Sequence, residues 1–429
     1  MSVALPKVVD YSEPMYSLPG NTRSFQVVGV PVSGATFGAN SAIDVDLGST
    51  GYLDPKSLFI RYKIAPTNAS GSAYLCGTPV YSPFLRVTTM MNSQTVETIN
   101  NYNVVANMLT NLNKDVSQKL GEQFAFGYAD GSSPINNEQT DGGVFANGTS
   151  KYLSAPLICS LSNCEKLIPL HLLNGIRLTF TLDGVGIFSQ IDNAGGAILL
   201  ANQVTAYTIS NFEVCYTCVD FGDEVKNMVA SLDKVRIKSQ TWASSIQSLA
   251  SGVSGQQNLI YNHKYSSIKA LFLNMGGANR ASSANGNMDS YNVAGALGDY
   301  QFQVAGINYP QRVLSCNTGY AGILQMLRQA IGSVFDKNNA MSINTYEFLT
   351  TSGMSTTPQA TGKFFLGCSV EKLKIQGSFF TGISTEASPI SVVINVGTAT
   401  SQIHNVMLIA NADLIYEIDP QTKQVVVIQ

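Results

Sequence analysis

The sequence predicts an all-β protein built from two consecutive antiparallel β-sandwiches. Three observations carry this expectation. Turn dipeptides recur along the chain, hydrophobic residues alternate with polar ones between those turns, and landmarks of the first half return in the second in the same order.

The turns are Asp130-Gly131, Asp141-Gly142, Asn147-Gly148, Asn174-Gly175, Asp183-Gly184 and Asn285-Gly286, dipeptides that accept the positive φ of tight turns. Between such turns lie runs of period two. Ile176, Leu178, Phe180 and Leu182 share one face of a strand, and Arg177, Thr179, Thr181 and Asp183 the other. The same alternation marks Phe212, Val214, Tyr216 and Cys218, then Leu373, Ile375 and Phe379, then Ile390, Val392, Ile394 and Val396, and finally Leu414, Tyr416 and Ile418. One wet face per strand is the pattern of antiparallel sheets, whereas helix-covered parallel sheets read as unbroken apolar runs.

Two segments have helical spacing instead. Residues 98–112 place Val104, Val105, Met108, Leu109 and Leu112 on one stripe, and residues 322–335 do so with Ile323, Leu327, Ile331 and Val334. A shorter helix is expected over residues 223–232. The strand at Leu58-Phe59 returns at Leu271-Phe272, the helix at Val104 at Ile323, the strand at Ile176 at Ile390 and that at Val214 at Leu414, at offsets of roughly 200–220 residues. Residue identity hardly repeats, so the duplication is one of architecture. The boundary falls at residues 220–234, where a charged helical stretch interrupts the strand pattern. The expected organisation is an N-terminal arm over residues 1–21, a first sandwich over 22–221, a linker helix over 222–234 and a second sandwich over 235–429.

Composition excludes several function classes. Charged residues make up 12 % of the chain, about half the ~25 % usual in soluble proteins, and Ser, Thr, Asn, Gln and Gly fill the deficit. With 45 % hydrophobic residues and a formal charge of −3, the chain is not disordered throughout. Its 25 basic residues form no run, so the electrostatic footprint of a nucleic-acid binder is missing. Met1 to Pro14 include Lys7, Asp10 and Glu13 and no apolar core, unlike a signal peptide. The charge-free stretch 387–412 is too dotted with polar residues for a membrane span. Seven cysteines, an odd number, point to free thiols in a reducing compartment. Two stretches rich in Gly, Ser, Asn and Asp, 127–150 and 276–300, are long enough to be exposed functional loops.

No chemical site emerges. Cys215 and Cys218 resemble a chelating pair to which Cys159 and Cys164 would add, yet strand alternation turns Cys215 and Cys218 to opposite faces. His171, His263 and His404 lie far apart, and Gly362-Lys363 lacks the rest of a phosphate loop. Asp220, Asp223 and Glu224 suit the start of a helix, whose dipole favours acids there. Asn68-Ala69-Ser70 and Asn147-Gly148-Thr149 match the glycosylation pattern but read as loop sequence. The expectation is a protein that is not an enzyme, with no catalytic, cofactor-binding or metal-binding residues and no cofactor.

Several stretches resemble the double jelly-roll major capsid proteins of icosahedral DNA viruses. The most specific is Leu167-Ile168-Pro169-Leu170-His171-Leu172-Leu173-Asn174-Gly175-Ile176-Arg177-Leu178, similar to the apolar, proline-containing entry into a late strand of the first roll. Residues 212–221 look like that roll's last strand. Tyr261-Asn262-His263-Lys264-Tyr265 through Leu273 look like early strands of the second roll, and Asn308-Tyr309-Pro310 like a turn before its inserted helix. Within the family the chain is most similar to polinton-like viruses and virophages. The resemblance implies two consecutive eight-stranded antiparallel jelly rolls with a few short inserted helices. It also implies a homotrimer of pseudo-hexagonal outline that tiles an icosahedral shell around a DNA genome, in a virion assembled inside the host cell. The implied partners are the chain itself, neighbouring capsomers, and penton and minor or cement proteins, with no sequence-specific nucleic-acid binding and no membrane span. The alternative is a carbohydrate-binding or adhesive tandem β-sandwich, for which the single tryptophan, Trp242, offers few aromatic contacts.

The arm has its own logic. Pro6, Pro14 and Pro19 make a continuous core strand over residues 2–21 improbable, while Val8, Val9, Tyr11, Met15, Tyr16 and Leu18 are too apolar to remain in water. The segment is expected to dock between capsomers; the competing arrangement packs it against its own first roll.

Overall fold

The computed structural model describes residues 22–67, 72–128, 144–146, 149–191, 204–277, 297–316, 320–332, 341–343, 348, 363–372, 379–397, 400 and 403–429. The arm, the glycosylation-like asparagines, Gly362, Val334 and residues 373–378 with the expected strand positions Leu373 and Ile375 lie outside these.

The first half opens with strands β1 (Arg23–Gly29), β2 (Thr36–Gly38), β3 (Ala42–Leu47), β4 (Tyr52–Leu53), β5 (Phe59–Thr67), β6 (Ser72–Leu75), β7 (Phe84–Met91) and β8 (Gln94–Asn100). Helices α1 (Tyr102–Asn113), α2 (Val116–Gly121) and α3 (Gln123–Phe126) follow, then β9 (Val144–Ala146), β10 (Lys151–Pro156), β11 (Ile168–Pro169), β12 (Ile176–Leu182), β13 (Phe188–Ile191) and β14 (Ala206–Asp220). Helix α4 (Asp223–Ala230) leads into the second half, which begins with β15 (Val235–Leu249), β16 (Gly255–Tyr261), β17 (Ile268–Gly277), β18 (Leu297–Val304) and β19 (Ile307–Ser315). Helix α5 (Tyr320–Ile331) precedes β20 (Phe365–Ser369), β21 (Ile390–Val396), β22 (His404–Ile418) and β23 (Val425–Ile428).

Pairing reveals the duplication directly. One sheet of the first half has the order β3-β12-β7-β8, and one of the second half β16-β21-β18-β19. In the facing sheets, β14 lies between β1 and β5, with β10 outside β5; β22 lies between β15 and β17, with β20 outside β17. Eight strands of each half therefore occupy matching places, and α1 and α5 follow the matching strands β8 and β19. All these pairs are antiparallel, as the alternation requires. The burial of β12 and β21 follows the expected period, with Ile176, Leu178, Phe180, Leu182 and Ile390, Val392, Ile394, Val396 all inward.

Four expectations need correction. The first helix begins at Tyr102, because Thr98 and Ile99 extend β8 opposite β7. Asn308-Tyr309-Pro310 is strand, not turn; the reversal is made at Ala305 and Gly306, both at positive φ (51° and 80°). Pro310 is tolerated because β19 is the last strand of its sheet. Part of each expected loop is sheet: β9 pairs with β6, Gly276 and Gly277 end β17, and residues 297–300 begin β18. The rest of those loops, 129–143, 147–148 and 278–296, lies outside the described residues. Finally, β22 has no wet face: thirteen of its fifteen residues are buried.

That last departure follows from the layering. Leu271, Leu273, Val406, Leu408 and Ala410 pack with β18 and β21 in a core confined to the second half. Phe272, Met407, Ile409, Leu414 and Tyr416 instead join the core of the first half. The β15-β22-β17-β20 sheet thus fills both of its faces.

Candidate functional site

The described residues hold no group of three or more His, Cys, Asp or Glu side chains placed to bind a metal ion. All seven cysteines are free and buried. Val214, Tyr216 and Cys218 belong to the first core, while Cys215 lies outside it, on the other side of the strand. The Cys218 thiol donates to the Thr50 carbonyl at 2.9 Å. Next to it, Gly51 sits at φ +75°, where a Cβ would fall 2.7 Å from that sulfur. Burial pushes the Cys159 and Cys164 thiols up to about 12, so both stay protonated and unreactive at neutral pH. His171 is edge-on to Tyr52, His263 bonds to Ser245 Oγ at 2.8 Å, and His404 is buried in β22. Burial lowers the pKa of all three imidazoles, and the structure does not bring them together. Asp220 is neutralised by Lys226, 2.9 Å away on α4, which Asp223 and Glu224 open.

What the structure does assemble is a polar seam between the halves. Glu97 on β8 is buried, and its carboxylate accepts from the Ser160 amide at 2.8 Å, the Ser160 hydroxyl at 2.7 Å and the Thr241 hydroxyl of β15 at 2.5 Å. Ser160 also bonds to the Tyr416 hydroxyl, and its carbonyl accepts from Ser239. Asn163 donates to the Gln240 carbonyl, and Ser342 to that of Asn111. Burial raises the Glu97 pKa above the ordinary carboxylate range, with the Thr241 and Ser160 hydrogen bonds opposing that rise. No local sequence signal marks this cluster, since its members come from residues 97 to 416 and meet only when the halves close.

The surface shows the second unusual arrangement. In α2 and α3, Val116, Leu120 and Phe124 form an exposed stripe, and Phe124 is 97 % exposed. Lys119, which lies between them in the chain, turns inward. Lys119 is buried, bonds to Asn111 and lies over the Tyr128 ring, and Lys114 pairs with Glu122. Asp115 caps α2 by accepting from the Gln118 amide, and Gln118 returns a hydrogen bond acceptor to the Asp115 amide. The usual pattern of an amphipathic helix is inverted, leaving an apolar face without charge toward the outside. The first strand adds Phe25, Val28, Val30 and Val32, all exposed at β1 or just after it. Sequence reading missed α2 and α3 because two short turns give too few repeats for a period to register.

Comparison with known proteins yields likeness at the level of structure. No family model matches the chain, and no curated protein does. Among solved structures, PBCV-1 VP54, as fitted into a reconstruction of the virophage Sputnik, aligns with a TM-score of 0.63 at 13 % identity, covering 97 % of this chain and 99 % of that one. The Faustovirus major capsid protein gives 0.63 at 10 % identity, with 96 % and 92 % covered. The mavirus major capsid protein gives 0.56 at 10 % identity, with 100 % and 95 % covered. Together with the repeated sheet order, these matches show that the chain has the double jelly-roll fold of viral major capsid proteins.

Proposed function

We propose that the chain is the major capsid protein of an icosahedral DNA virus. Three copies close into a ring, since two similar rolls per chain give the six wedges of a pseudo-hexagonal capsomer, and such capsomers tile the shell around the genome. In this reading residues 1–21 are an extended arm, 22–221 and 235–429 the two rolls, and 222–234 the linker helix. The chain acts as a structural subunit and not as an enzyme. Its partners are other copies, neighbouring capsomers, and penton and minor or cement proteins. It is assembled inside the host cell and resides in the virion.

The observation that carries this reading is the matching order of β3-β12-β7-β8 and β16-β21-β18-β19 within a fold shared over nearly full length with three capsid proteins. The uncharged stripe of α2 and α3 supports it, because interface cores are depleted in charge. Among the described residues no helix is long and apolar enough to cross a membrane.

Light scattering tests the assembly. The expected mass is three times 45.9 kDa, and a stable monomer of 45.9 kDa at micromolar concentration overturns the reading. Phe124→Ser sharpens it. With the ring almost fully exposed, the substitution is expected to shift protomer stability by no more than ~0.5 kcal/mol, while weakening association between copies. Unchanged association would remove the stripe from the interface.

A further inference from the structure

A groove of about 350 Å³ opens along the seam, walled by Leu58, Tyr81 and Leu109 of the first half and by Trp242 of the second, with Lys56 and Lys114 among its lining residues. Its volume suits one or two large side chains. Its charge is one-sided. Lys114 is paired with Glu122, but Lys56 is exposed, donates to the Ser162 carbonyl at 3.0 Å and is ion-paired with no described carboxylate.

The chain itself contains a segment of the opposite character. Residues 8–18 carry Asp10 and Glu13 and no cation, and their remaining bulk is Val8, Val9, Tyr11, Met15, Tyr16 and Leu18. The place where the described chain starts also fits. Arg23 pairs with Asp220 on one side of β14. On the other side of that strand, Asp54 donates to the Thr217 carbonyl at 3.0 Å and the Thr217 amide donates to Ser57 at 2.7 Å, and these residues bracket Pro55 and Lys56. Two strand spacings across and four residues along place Thr22 about 15–20 Å from the groove rim. Residues 18–22 span about that distance when extended. At so short a tether the effective concentration reaches roughly the millimolar range, ahead of the same segment on another copy.

We propose that residues 8–18 dock in the seam groove of their own chain, with the Tyr11 ring against Trp242 and the Asp10 and Glu13 carboxylates beside Lys56. Docked there, the segment bridges walls contributed by both halves and braces them against opening. The inference stands apart from the proposed function, because it concerns one chain and is read without reference to the mass of the assembly.

Two measurements on the full-length protein test it. The chain's single tryptophan lines the groove, so its emission reports on the occupant. Tyr11→Ala and Lys56→Glu are each expected to move Trp242 emission to longer wavelength, and Asp10→Lys with Glu13→Lys to reverse the shift in the Lys56→Glu background. Tyr11→Cys combined with Asn113→Cys, which also lines the groove, is expected to form a disulfide under mild oxidation within one chain, visible as a fast-migrating monomer on a non-reducing gel. The seven native thiols are buried and do not compete. A disulfide-linked dimer would assign the groove to another copy's segment and overturn docking within the chain. No disulfide together with unchanged Trp242 emission would overturn docking altogether.

Discussion

Strands β14 and β22 occupy the same place in the two halves and have the same length of fifteen residues, yet they live in different surroundings. Burial along β14 largely alternates, with Thr208 and Asn211 outward and Tyr207, Ile209, Phe212 and Val214 inward. Along β22 nearly every residue is inward, because its sheet is covered by β18 and β21 on one face and by the first half on the other. A repeated topology therefore does not repeat an energetic role. The first roll has one core under a wet outer sheet, and the second has a central sheet shared by two cores.

The polar residues of the two strands show the consequence. On β14, Glu213 meets Arg61 of β5 at the surface, their side chains 25 % and 52 % exposed. On β22, Asp413 has no exposed surface and is held by Lys269 at 3.0 Å, the Ser267 hydroxyl at 2.8 Å and the Phe380 amide at 3.0 Å. A buried carboxylate is tolerated only with partners of this kind, whereas an exposed pair contributes little. At the end of β22, Lys234 and Arg236 hold the Glu417 carboxyl below its ordinary range.

The two strands should differ most in their response to loss of these carboxylates. Asp413→Ala leaves Lys269 with only Glu371, 3.8 Å away, and strips the Ser267 hydroxyl and the Phe380 amide of their acceptor, at an expected cost of about 3 kcal/mol in urea unfolding. Glu213→Ala should cost no more than about 1 kcal/mol. Similar losses at both positions would mean that the two sheets are equally wet.

A middle-sized effect probes the seam that makes β22 doubly covered. Glu97→Ala strands the Ser160 amide and the Thr241 hydroxyl without their acceptor, at a cost of about 2 kcal/mol. Glu97→Gln is the sharper variant. A carboxyl whose pKa is raised on folding gives stability that is complete below its unfolded value, about 4.3, and is lost as pH rises through the folded value. Thermal unfolding of the wild type should therefore fall relative to Glu97→Gln as pH increases from 4 to 8. A constant difference across that range would show that Glu97 titrates normally. The smallest effect is at the outer face of β14, where Thr208→Ala should change stability by no more than ~0.5 kcal/mol.

Much of this architecture was legible in sequence because the alternating strands report on one wet face each, as Ile176 to Leu182 and Ile390 to Val396 do. The order of landmarks exposed the duplication even though residue identity did not. The double burial of β22 was not legible. Asp413 looks like a surface position in a strand, and the partners that make it suitable for the interior, Ser267 and Lys269, lie over 140 residues away in the chain. The start of α1 was obscured because Ile99 and Val104 both face the core, one from a strand and the other from a helix. The exposed stripe of Val116, Leu120 and Phe124 was not legible either, because α2 and α3 are too short for a helical period to register. Only the inward turn of Lys119 and the Lys114–Glu122 pair reveals that this face points out.

If two fused rolls make each chain one third of a pseudo-hexagonal capsomer, as proposed above, electron microscopy of the purified protein will show particles of hexagonal outline with three-fold symmetry that associate into hexagonal arrays or closed shells at higher concentration. Uniform single-chain particles that form neither at any concentration would exclude the trimeric capsomer.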